Sequence, residues 1–182
     1  MTLALGLGAA TLLFTVVQTV LLRPLPFADQ RELVLMWGQE SGRPHVEVSL
    51  PNFQDWRAPT SSFTDLAAIG STDWGELEVR ASEPFALTQR VVSSSFFETL
   101  GVSAALGRTL SPADDVVGAP AVMVLSHASW RRHFSADPGI VGEAMTIVGR
   151  DAPLVVVGVM PSAFQFPAGT DVWLPASRSG QS

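Results

Sequence analysis

The sequence predicts an α+β chain: one N-terminal transmembrane helix over residues 1–22, then a mixed α/β domain of β-hairpins and short helices over residues 23–182. Three observations predict it. Thr2 to Leu22 carries no charged side chain. Beyond it, runs of alternating apolar and polar residues recur in pairs around turn-forming residues. Short segments with helix-capping residues stand beside those pairs.

The apolar run comes first. Its only polar side chains are Thr2, Thr11, Thr15, Gln18 and Thr19, and threonine tolerates lipid because its hydroxyl bonds back to the helix. At a rise of ~1.5 Å per residue the run reaches roughly 31 Å, the hydrocarbon thickness of a bilayer. Gly6 and Gly8 suit a membrane helix, where they allow a neighbour to approach closely. A cleaved signal would need a basic lead and a small-residue cleavage site, and neither is seen. Arg23, Pro24 and Pro26 read instead as a stop at the lipid surface. Counting Arg23 and Arg31 alone would pull this end of the domain inward.

Composition narrows the remaining 160 or so positions to a single domain with a core of its own. Hydrophobic residues make up 47%, too many for a disordered chain. There is no cysteine, which excludes disulfides and thiolate metal sites. The net charge of −6 argues against nucleic acid as a partner, because neutralising phosphates needs clustered cations. All 11 basic residues are arginine, so no Walker A loop, Schiff-base lysine or Ser-Lys dyad is present.

In chain order, Glu32–Trp37 predicts a first strand, and "GQESGRPHVEV" a loop. "SLPNFQDW" predicts a helix with Ser49 as N-cap and Pro51 in its first turn, burying Phe53 and Trp56 on one face. "SSFTDLAAIG" (61–70) predicts a helical turn running into a strand. "GELEVRASEPFALTQRVV" predicts a hairpin, with Leu77 and Val79 alternating against Phe85, Leu87 and Val91. "SSSFFETLG" predicts a compact helix with Ser95 and Glu98 at capping-box spacing and Gly101 just past its end. "AVMVLS" is a continuous apolar strand, and Ser126 caps "HASWRRHF". "EAMTIVGRDAPLVVVGVM" predicts a second hairpin turning at Gly149-Arg150-Asp151, and "DVWLPA" a last strand. Two hairpins, each next to a helix, point to an α+β sandwich.

No catalytic constellation emerges, and no catalytic, cofactor-binding or metal residue is assigned. His127 and His133 lie on different faces of one helix, and no H-E-x-x-H occurs. Ser126 is a cap rather than a nucleophile, and no G-x-S-x-G elbow exists. Asp114 and Asp115, between Pro112 and Pro120, read as a solvated loop; two carboxylates do not make a calcium site. Phe164 and Phe166, in "GVMPSAFQFPAG", read as plugs for a gap in the core.

Five segments in order carry a resemblance: "LALGLGAATLLFTVVQTVLLRPLPF", "VSLPNFQDWR", "VSSSFFETLGVSAALGRTL", "VMVLSHASWRRHF" and "VVVGVMPSAFQFP…DVWLP". The chain resembles the MacB-like periplasmic core domain of ABC transporter permeases, in particular the duplicated orphan permeases of the acidobacterial type. The resemblance implies an N-terminal permease fragment in a bacterial inner (plasma) membrane, with the domain on the periplasmic side and its C-terminal part missing. A basic cytoplasmic lead and a further helix-and-strand unit would flank it, and without that unit an apolar face or edge strand would be exposed. The implied partners are a separate ABC ATPase subunit, a permease dimer partner, a periplasmic or outer-membrane partner and membrane lipid. The implied function is ATP-driven transport or mechanotransmission, with no cofactor and no enzymatic activity. Gly107-Arg108 and Phe96-Phe97 fall on motif positions, and there the resemblance implies a turn and a core contact. The alternatives are a stand-alone membrane-anchored periplasmic binding or sensing module, and a secreted hydrolase for which no nucleophile and base are found.

Overall fold

A computed structural model describes residues 33–36, 38–40, 43–46, 53, 55–56, 63–70, 75–116 and 118–176. The predicted span at 1–22, Ser49 and Pro51 lie outside them. Among the described residues no helix is long and apolar enough to cross a membrane.

The predicted hairpin forms as strands β3 (Glu76–Val79) and β4 (Phe85–Val92), after a small separate pair, β1 (Gly38–Glu40) and β2 (Arg43–Val46). Leu77 faces Leu87 and Val79 faces Phe85, so one face of the ribbon is apolar while Glu76 and Glu78 point to solvent. Helix α1 (Phe96–Thr99) follows, then β5 (Leu106–Gly107), a 3₁₀ turn at Pro112–Asp115, and β6 (Val122–Leu125). Helix α2 (His127–Phe134), β7 (Ala144–Met145), β8 (Leu154–Val159) and β9 (Val172–Pro175) complete the order.

Seven strands form one sheet in the order β3-β4-β9-β6-β8-β5, with β7 also paired to β8. The β4–β9 and β6–β8 pairs are parallel, and the others are antiparallel. The β6–β8 pair is parallel because α2 carries the chain back across the sheet between them. A bulge between Met123 and Val124 shifts the β6–β8 register and sharpens the local twist.

The sheet does not lie flat between two layers, as the sandwich expectation had it. It curls until Val79, at the end of β3, bridges Ile147, just past β7. Leu77, Val79, Leu87, Val91, Met123, Leu125, Ile147, Leu154, Val156, Val172 and Leu174 fill the inside of the curl. Trp130 and Phe134 of α2 pack against this inner core. The outer face of β4, β6 and β9 is covered in turn by Phe96, Phe97, Leu100, Leu110 and Phe164, which pack on Val92, Val122, Val124 and Trp173.

Four other sequence expectations change. Leu33–Met36 is not a strand: its residue types favour one, but a strand needs a partner. The pairing falls instead on β1 and β2, in the stretch expected to be a loop. Residues 63–68 form no helical turn; the segment runs extended beside the end of β4, with Gly70 N–H donating to Val91 O at 2.8 Å. Phe53 and Trp56 are helical as expected, yet Trp56 is exposed. Ser95 precedes α1 without capping it, because its hydroxyl donates to Leu66 O at 2.9 Å. The expected left-handed glycine after that helix is present, Gly101 at φ 65°.

One close approach fixes the β5–β8 pairing. A Cβ on Gly158 would collide with the Arg108 carbonyl oxygen, and a Cβ on Gly107, at φ 71°, with the Val157 carbonyl oxygen. Only glycines let β5 cross β8 so tightly. Gly158→Ala is therefore expected to cost about 1–3 kcal/mol, read as a fall in the urea midpoint at unchanged slope. Phe97→Ala, which empties the centre of the outer layer, is expected to cost about 3–5 kcal/mol in the same measurement.

Candidate functional site

The densest polar chemistry in the described structure is the loop that follows β5. Leaving the glycine crossing, the chain presents Arg108, whose guanidinium meets Asp114 in a fork: Nη1 to Oδ2 at 2.6 Å and Nη2 to Oδ1 at 2.8 Å. Ser111 donates to the same Asp114 Oδ2 through its N–H at 2.7 Å and its hydroxyl at 2.8 Å. Ser111 and Asp114 thereby form a capping box on the 3₁₀ turn, with Pro112 inside its first turn. Asp115 reaches the other way and accepts from Ser94 N–H at 3.2 Å. The loop thus ties the β5–β8 crossing to the β4–α1 junction and presses Leu110 into the outer core.

This overturns the reading of Asp114 as a solvated carboxylate. Its side chain is 7% exposed, against 51% for Arg108. Burial alone would raise the Asp114 pKa, but the hydrogen bonds from Arg108 and Ser111 and the Arg108 charge outweigh it and hold the pKa below the ordinary carboxylate value. The Arg108 pKa is raised in return, first by its hydrogen bond to Asp114. With both oxygens engaged by Arg108 and Ser111, the carboxylate anchors the loop. The signal was in the sequence: Ser111 and Asp114 stand three apart with Pro112 between them, which is capping-box spacing.

A second polar knot underlies α1. Ser93 Oγ accepts from Ala68 N–H at 3.0 Å and lies 3.1 Å from Ser95 Oγ. Thr99 Oγ1 donates to Asp65 Oδ2 at 2.7 Å. These bonds fasten the extended 65–70 segment along the end of β4. Above them the aromatic rings meet edge to face, Phe96 with Phe97 at 5.1 Å and Phe97 with Trp173 at 5.7 Å, within the range where such pairs attract. Phe164 packs on Trp173 at 5.4 Å and Phe166 stacks on Phe96 at 6.2 Å. Both plug the outer core, as the sequence predicts. Arg90 is buried on the same side, at register with Trp173, and burial lowers its pKa.

His127 and His133 are used in packing. His133 stacks on Phe85 at 4.3 Å, and His127 meets Trp130 edge to face at 5.6 Å. Ser126 Oγ accepts from Ser129 N–H at 3.1 Å, the cap the sequence assigns it. Asp171 joins three elements: its carboxylate accepts from Thr88 N–H at 3.1 Å, its carbonyl from Ser126 N–H at 2.8 Å, and Arg132 lies 3.9 Å away. Among the described residues, no three His, Asp or Glu side chains gather where they could hold a metal ion. Val34 and Leu35, 71% and 61% exposed, are adjacent apolar residues facing solvent.

The fold and this network define an α/β scaffold module: a curled sheet with an apolar outer layer, locked by polar ties at its loops. The sequence profile of the MacB-like periplasmic core domain matches residues 1–182, and the chain belongs to that family. Its fold is similar to the periplasmic region of MacB from Actinobacillus actinomycetemcomitans, with a TM-score of 0.54 at 19% identity. That match covers 73% of this chain, and this chain spans 57% of the MacB region's length. Two further structures share less. The extracellular domain of the ABC-type transporter YknZ from Gram-positive bacteria has a TM-score of 0.45 at 17% identity, over 60% of this chain and 52% of its own. A putative permease domain from Porphyromonas gingivalis has a TM-score of 0.45 at 15% identity, over 62% and 51%. No curated protein matches the chain.

The clasp makes a pH-dependent prediction. Because the folded Asp114 pKa lies below its unfolded value, its contribution is full above the ordinary carboxylate range and is lost as pH falls through the folded value. Asp114→Asn is expected to cost about 1–3 kcal/mol at pH 7 and to flatten the acid limb of the stability curve. Urea unfolding at pH 7 and about pH 3 checks it; parallel losses in parent and variant would contradict the assignment.

Proposed function

We propose that the chain is the N-terminal part of an ABC transporter permease, its domain standing on the periplasmic side of a bacterial inner membrane. The observation that carries this reading is the family match over residues 1–182, which includes the apolar Thr2–Leu22 run. In this reading 1–22 is the membrane helix, and a separate ABC ATPase subunit supplies the energy through cytoplasmic parts of the permease. A second permease copy and a periplasmic or outer-membrane partner complete the assembly. The domain takes part in transport or mechanotransmission by binding and moving as a body rather than by catalysis. The Arg108–Asp114 clasp, the stacked His133 and the capping Ser126 support that role, since each is engaged in holding the fold.

Two measurements test it. Ser82, exposed in the β3–β4 turn, gives a single label site when changed to cysteine in this cysteine-free chain. A membrane-impermeant maleimide should label it in spheroplasts with intact inner membranes; labelling only after lysis would overturn the topology. Reconstituted in nanodiscs with the ABC ATPase subunit isolated alongside it, the permease carrying this domain should raise ATP hydrolysis above that of the subunit alone. An unchanged rate would remove the transporter reading.

A further inference from the structure

The curled sheet is closed at one place by very little. Neighbouring strands elsewhere meet over up to four residue pairs, as β3 and β4 do, or β6 and β8. The two edges of the curl meet at the single bridge Val79–Ile147. Only two hydrogen bonds flank it, from Arg80 N–H to Thr146 O and from Val148 N–H to Glu78 O, each 2.9 Å. Glu78, Arg80, Thr146 and Val148 are all exposed, whereas the outer face of β6 and β9 lies under the aromatic layer. Backbone bonds between solvent-exposed residues mark the low end of local stability.

We infer that the β3–β7 seam opens while the rest of the sheet stays paired, so that the domain is a split barrel of adjustable curvature. Opening breaks two hydrogen bonds and lifts Val79 and Ile147, each 2% exposed, from the rim of the inner core. It leaves β4-β9-β6-β8, α1 and α2 in place. The two freed edges are short, and Glu78 and Arg80 flank Val79 on one of them, which discourages pairing with other chains. The opening gives the domain one soft direction along which a push can be absorbed or passed on. That use rests on the transporter reading above, while the opening itself does not.

Residue-resolved hydrogen exchange on the full chain in nanodiscs tests the seam directly. The amides of Arg80 and Val148 should exchange at least about 10-fold faster than those of Val155 and Met160, which bond to Ala121 and Leu125 in the covered part of the sheet. Equal protection at the four amides would overturn the inference. A lock supplies the second arm. Val79 and Ile147 form a non-hydrogen-bonded antiparallel pair, whose Cα atoms stand about 4.5 Å apart, within disulfide range. In the Val79→Cys, Ile147→Cys variant, oxidation should slow Arg80 and Val148 to within about 3-fold of Val155, and reduction should restore their fast exchange. Seam amides indifferent to oxidation would also overturn it. The parent measurement needs no substitution and stands whether or not the variant folds. Neither arm involves the ATPase, so failure here is distinguishable from failure of the transporter reading.

Discussion

Strand β6 has no polar face. Val122, Met123, Val124 and Leu125 are all buried, and the domain is arranged around that fact. Met123 and Leu125 look into the curl, Val122 and Val124 out of it, so a single covered face would leave two valines in water. At about 25 cal/mol per Å² of apolar surface, neither face can be left wet without a loss comparable to a domain's whole stability. The sheet must curl to cover one side, and α1 with the Phe164 loop must cover the other. Parallel pairing with β8 follows from the same constraint, since parallel strands belong where both faces are buried.

A layer held on by aromatic contact alone would cover the sheet without fixing the loops that run over it. The polar ties supply that fixity. Ser93, Ser95 and Thr99 hold the 65–70 segment to α1, and Arg108, Ser111 and Asp114 hold the loop that carries Leu110. Asp115 links the loop to the first knot through Ser94. The outer layer and its polar margin therefore form one connected unit. In part they coincide with one of the five segments that carry the resemblance, "VSSSFFETLGVSAALGRTL".

Local pattern in the sequence was legible where the physics is local. The β3–β4 and β7–β8 hairpins follow from period-two alternation around a turn, and the Ser126 cap from a hydroxyl just before a helix. What was not legible depends on partners distant in the chain. Capping-box spacing ties Asp114 to Ser111, but its burial shows only once Arg108 folds back on it. Ser95 looks like a helix cap until Leu66 offers its carbonyl. Glu32–Trp37 has the composition of a strand, but composition does not name a neighbour, and Leu33–Met36 is left unpaired. The tight β5–β8 pairing depends on two glycines fifty-one positions apart, Gly107 and Gly158, and neither signals the other. At the site, Gly107-Arg108 stood out as a motif position, but the tie between Arg108 and Asp114 shows only in the geometry.

The strand order carries a consequence for how the chain is made. β9 lies between β4 and β6, yet it is made after every other described strand. Until Val172–Pro175 arrives, β4 has no inner neighbour, and Trp173 is missing from beneath Phe97. The hairpins can form early, because their contacts are close in sequence. The central gap can close only across the 83-residue separation that Thr88 and Asp171 bridge, and such distant pairing is slow. The centre of the sheet is therefore completed only after the described strands on both sides of it have been made.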